Sequence, residues 1–114
     1  MAVSSGKHRI IANNTNIRDI VKQEIAINGT NADLYYIDVK EVTDMSFLFY
    51  EVNFNGDISN WNVSNVKYMI SMFAHSSFDG DLSKWDVSNV QCHNNCFEGS
   101  PLENQPNKQP KFNP

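Results

Sequence analysis

Most of the usual signatures of function are absent. Cysteine is scarce: two occur among 114 residues, Cys92 and Cys96, and no staple is needed because one domain of this length buries a real core. A disulfide between them, four apart on a predicted helix, would be strained. No stretch approaches 18 apolar residues, and residues 1–12, MAVSSGKHRIIA, lack the apolar run of a secretory signal. As written the chain reads as soluble and cytoplasmic; as a processed segment it would be surface-bound or secreted. Cations are few and scattered, nine Lys and Arg against thirteen Asp and Glu for a net charge of −4, so direct nucleic-acid binding is not expected. No glycine-rich phosphate loop or nucleophile elbow occurs, and His8, His75 and His93 stand apart. These absences point away from an enzyme: no catalytic residue and no cofactor is expected.

What is present is a repeat. Residues 56–66 read GDISNWNVSNV and residues 80–90 read GDLSKWDVSNV, a spacing of 24. The same register brings ADLYYIDV at 32–39 over both and aligns Val39, Val63 and Val87, then Val42, Val66 and Val90, then Phe49, Phe73 and Phe97. A period of 20–29 residues with the spacing Ile58-x-x-Trp61-x-Val63-x-x-Val66 predicts units of leucine-rich-repeat type. Trp61-Asn62-Val63 alternates as a half-buried strand does, and Val66, Met69, Met72 and Phe73 recur at a helical period. The expected fold class is therefore α/β: a short leucine-rich-repeat-like solenoid of about three strand–helix units near 32–55, 56–79 and 80–103, with strands at 34–39, 58–63 and 82–87.

Repeat arrays need closed ends. In front, 1–15 reads as an N-terminal arm and 16–29, NIRDIVKQEIAING, as a capping helix with Ile17, Ile20, Val21 and Ile25 on one stripe, Asn16 as N-cap and Gly29 as stop. Behind, 104–114 is rich in Pro and Asn and reads as an extended tail.

The run MSFLFYEVNFNGDISNWNVSNVKYMISMF resembles the BspA-like leucine-rich-repeat family of bacterial surface proteins and lipoproteins, over residues 32–97. The resemblance implies a repeat fold and a surface or adhesin-like role, although this chain has fewer units than is usual there.

Two surfaces and one cluster are candidate sites. Rows flanking the buried strand positions carry Tyr36, Asn60 and Lys84, then Asp38, Asn62 and Asp86, on the face that repeat proteins offer to partners. The back of the array carries Tyr50, Tyr68 and His75, where aromatics can anchor a partner. Cys92, His93 and Cys96 lie within five positions, but as three ligands they lack a fourth, and the repeat register turns Cys96 and His93 inward as core filler. Trp61 and Trp85 occupy the register of Ile37 and belong to the core.

The function these features favour is a non-catalytic protein-binding module, a monomer whose partner the sequence does not name. One alternative is a small acidic intracellular inhibitor, phage- or mobile-element-borne, of a bacterial protein or nucleoprotein complex. Another, of a different class, is a metal-binding protein using Cys92, His93 and Cys96.

Overall fold

A computed structural model describes residues 8–114. Its regular elements run β1 (Ile10–Ile11), α1 (Ile17–Asn28) and β2 (Ile37–Asp38), followed by two short 3₁₀ turns at Pro101–Asn104 and Pro106–Lys108. β1 and β2 pair in parallel, Ile10 opposite Ile37 and Ile11 opposite Asp38. The expected solenoid of three strand–helix units does not form. Among the described residues there is one α-helix and one two-stranded sheet, and the repeats themselves are built from turns and isolated bridges.

The expected strands fail for a reason visible in their side chains. Asp57 Oδ1 accepts the N–H of Ser59 at 2.9 Å, and five residues on Asn62 Oδ1 accepts that of Ser64 at 3.0 Å. Each closes a turn in which Trp61 N–H returns to Ile58 O and Val66 N–H to Val63 O. Asp33, Asp38, Asp81 and Asp86 do the same in the flanking units. Asp and Asn offer the backbone a local partner that competes with a sheet ladder. What looked like alternation is two consecutive Asx turns.

The expected helices fail because their N–H groups are spent elsewhere. The N–H groups of Met45, Phe47, Phe49 and Glu51 donate to the carbonyls of Tyr68, Ile70, Met72 and Ala74, and those of Met69, Ser71, Phe73 and His75 donate to Cys92, Asn94, Cys96 and Glu98. Between them Leu48, Tyr50, Met72 and Ala74 fold back three positions, as Leu48 N–H to Met45 O. Alternate donors thus leave each unit for the next, an arrangement an α-helix cannot supply. It requires left-handed backbone at Phe47, Glu51, Ser71, His75, Asn95 and Gly99.

Repeat-equivalent residues consequently lie side by side and the core is continuous. Phe49 stacks on Phe73 at 5.4 Å and Phe73 on Phe97 at 5.5 Å, with interplanar angles of 5° and 11°. Phe54 and Phe78 form a second column beside them, in which Gly56 is obligatory since a Cβ there would meet Ala32 O at 1.8 Å. Trp61 and Trp85 are buried and give their indole N–H to Leu34 O and Ile58 O, one unit back, at 2.9 and 3.1 Å. Asn65 and Asn89 reach back in the same way to Lys40 O and Ser64 O.

The front is closed by α1 and β1. Ile17 and Val21 are buried, Ile20 and Ile25 pack at the margin of the core, and Gly29 ends the helix at φ 96° with its N–H on Ile25 O. Asn16 sits at the N-cap without a side-chain bond to the helix; its Oδ1 accepts Asn13 N–H instead. Of the expected 1–15 arm, residues 1–7 lie outside the described residues. At the back, 104–114 are not extended away from the body. Leu82 N–H donates to Lys108 O, Pro110 is buried, Phe112 packs on the core, and Asn113 repeats the reach of Asn65 and Asn89 by donating to Ser88 O at 2.8 Å.

Candidate partner-binding surface

The row Tyr36, Asn60 and Lys84 is not one open strip. Asn60 and Lys84 are exposed, but Tyr36 is only 4% exposed, and its phenol donates to the Glu24 carboxylate while accepting the Asn28 amide at 3.1 Å. Burial, with the Glu24 carboxylate beside it, raises the Tyr36 pKa. This tyrosine fastens α1 to the first unit. In the second row Asp38, Asn62 and Asp86 each hold a turn N–H, and Asp38 also meets Arg9 at 3.5 Å. Ser88 donates two hydrogen bonds to Asp86, from its hydroxyl and its backbone, and they hold that carboxyl below its usual range. These side chains are occupied by the scaffold.

The three-residue cluster separates. Cys96 is buried and its thiol is pushed up to about 12 by burial, whereas His93 stacks flat on Phe112 at 3.9 Å. No group of three His, Cys, Asp or Glu placed to hold a metal ion occurs among the described residues.

Around Tyr50 and His75 the arrangement is different. Their rings meet edge to face at 6.1 Å, and Phe47 meets Tyr50 in the same manner at 5.6 Å. Phe47 is 46% exposed and Tyr50 39%. Both Phe47 and His75 project from left-handed backbone, φ 62° and 58°, a conformation that costs a bulky residue about 1–2 kcal/mol. Ser71 and Asn95 answer Phe47 in the other units, while Glu51 and Gly99 answer His75, so the large apolar exception is Phe47. Strain retained at an exposed phenylalanine, where a small polar residue serves the scaffold in the other two units, marks a surface that does something else.

Beside this ridge, α1 and the first unit enclose an apolar groove of about 290 Å³, lined by Val21, Ile25, Leu48 and Val52 with Phe47 and Tyr50 at its edge. The two charged groups on its wall are cations, Arg18 and Lys22, in a chain of net charge −4. Arg18 is partly engaged, giving Nη1 to Phe47 O at 3.1 Å and Nη2 to Ser46 O at 3.3 Å. Of the second candidate patch, then, Tyr50 and His75 come together and gain Phe47, which sequence reasoning passed over. Tyr68, 37% exposed, sits instead on the bridges that join Asp44, Tyr68 and Cys92. The overlooked signal was a phenylalanine standing in the register of Ser71 and Asn95.

Residues 15–113 match the model of a family described as Mycoplasma protein of unknown function, DUF285. The chain belongs to the DUF285 family. The match takes in α1, the repeats and the closing tail of this DUF285 protein together, and does not carry the BspA-like name. No curated protein and no solved structure matches it. No helix among its described residues is long and apolar enough to cross a membrane.

Proposed function

We propose that this DUF285 protein is a non-catalytic binding module whose working surface is the ridge of Phe47, Tyr50 and His75 with the groove beside α1. The observation that carries the reading is the left-handed placement of an exposed phenylalanine, Phe47, where the other two units use Ser71 and Asn95, in edge-to-face contact with the exposed Tyr50, which meets His75 in turn. Aromatic rings over an apolar groove are the composition of interface anchors. The resemblance of residues 32–97 to BspA-like surface proteins supports a protein as the partner. Arg18 and Lys22 suit a segment that offers an apolar side chain flanked by Asp or Glu.

The test is site-directed photo-crosslinking in lysate of the source organism, with the crosslinking residue at position 50 or at position 60. Adducts are expected from position 50, and Phe47→Asn, which installs the residue of the third unit, should abolish them while leaving the melting temperature unchanged or higher. Adducts that arise from position 60 and persist in Phe47→Asn would move the working surface to the opposite row.

A further inference from the structure

Along the ridge of residues 45–51, 69–75 and 93–99 the backbone ladder is one-directional, and its last rung is largely unfilled. In the first and second units every alternate N–H from Met45 to Glu51 and from Met69 to His75 finds a carbonyl in the following unit. The corresponding donors of the third unit are His93, Asn95, Phe97 and Gly99. Gly99 N–H is taken by Glu103 Oε1 at 3.0 Å, whereas among the described residues the N–H groups of His93, Asn95 and Phe97 meet no protein acceptor. Asn95 and Phe97 open into a depression of about 450 Å³ whose wall carries Glu98, Glu103 and Gln109.

We propose that this edge is a second binding site, which takes a backbone segment of another protein offering carbonyl oxygens at alternate residues and bearing Lys or Arg. The units themselves show the required geometry, since carbonyls at alternate positions, 68, 70, 72 and 74, fill the same edge of the first unit. Two copies of the edge cannot fill one another, because its carbonyls at Cys92, Asn94, Cys96 and Glu98 already face inward and only donors would meet. Head-to-tail stacking of copies is opposed as well, since α1 lies over the corresponding carbonyls at the other end, 44, 46, 48 and 50, and its Arg18 already donates to Ser46 O. The acidic wall selects for cationic and against acidic side chains. Pairing through main-chain groups supplies affinity, as in strand addition to a sheet edge, and the wall supplies preference.

A capped synthetic peptide of residues 67–75, KYMISMFAH, carries those carbonyls and one lysine, and it is titrated into the isotope-labelled full chain. Amide shifts should be confined to His93, Asn95, Phe97 and their neighbours. A peptide with Glu in place of its lysine, or a Glu98→Gln protein, should bind at least about threefold more weakly at low salt. In the free protein the Asn95 and Phe97 amides should exchange roughly 100-fold faster than those of Phe49 and Phe73. Slow exchange at Asn95 and Phe97 overturns the proposal, as does an absence of shifts there or shifts confined to Val21, Ile25 and Tyr50. Phe47→Asn should leave this binding intact, so that the groove and the edge stand or fall separately.

Discussion

The two ends of the molecule face the same problem with opposite polarity. At the front the first unit needs acceptors for Thr43 and Asp44 and cover for its carbonyls. Asn14 supplies the first: its Oδ1 takes both N–H groups at 2.8 and 3.2 Å, where Thr43 O serves Lys67 and Tyr68, and Lys67 O serves Gln91 and Cys92. Arg18 supplies the second by donating to Ser46 O and Phe47 O. At the back the ridge turns N–H groups outward where the front ridge turns carbonyls, and a carboxylate, Glu103, closes one of them. A cation at the carbonyl end and an anion at the N–H end follow the rule that governs helix termini. The difference lies in coverage, for the front is sheathed by a whole helix while the tail covers the core column and leaves the ridge edge open.

The comparison breaks most easily at the tail. Leu102 is the fully buried residue of the 3₁₀ turn at Pro101–Asn104 and packs into the core, so Leu102→Ala should cost about 2–5 kcal/mol in chemical denaturation. A loss under about 1 kcal/mol would show that the back end needs no cap, and the two ends would then differ in kind. Next in size is the front fastening: Tyr36→Phe removes the bonds to Glu24 and Asn28 and should cost about 1–2 kcal/mol. Because the folded Tyr36 pKa lies above its ordinary value, stability is intact below about pH 10 and falls as pH rises beyond it. Thermal melts across that range should show the alkaline decline in the parent protein and a weaker one in Tyr36→Phe.

A finer comparison sets one asparagine against another. Asn14→Ala orphans two backbone donors and should cost about 1 kcal/mol, whereas Asn113→Ala forfeits one bond to Ser88 O and should cost about half as much. Equal losses would show that both ends are closed alike. The smallest effect belongs to the turns between the ends. Asp57 and Asp81 have lowered pKa values, Asp57 through the backbone N–H of Ser59 and then its hydroxyl, Asp81 through the hydroxyl and then the N–H of Ser83. A depressed folded pKa gives stability that is present above the unfolded value near 3.9 and lost as pH falls through the folded one, so acid melts should decline only below about pH 4. Asp57→Asn should flatten that limb.

Periodicity alone determined which residues meet. The spacing of 24 put Phe49, Phe73 and Phe97 in one column and both tryptophans in the core, because residues equivalent in sequence are equivalent in space whatever backbone joins them. It also located the helix, whose apolar stripe has one period and one reading. The backbone of the repeat was not legible in the same way. Alternation at Trp61-Asn62-Val63 is shared by a strand and by paired Asx turns, and the recurrence of Val66, Met69, Met72 and Phe73 is shared by a helix and by a ridge of turns. Only tertiary structure decides between such pairs, since the donors of one unit must find the carbonyls of the next, and that ladder is a property of neighbours rather than of any segment. The candidate surface was hidden for the same reason. Nothing local distinguishes Phe47 from a core phenylalanine; its exposure follows from a left-handed backbone that the adjoining unit imposes through Ile70 O.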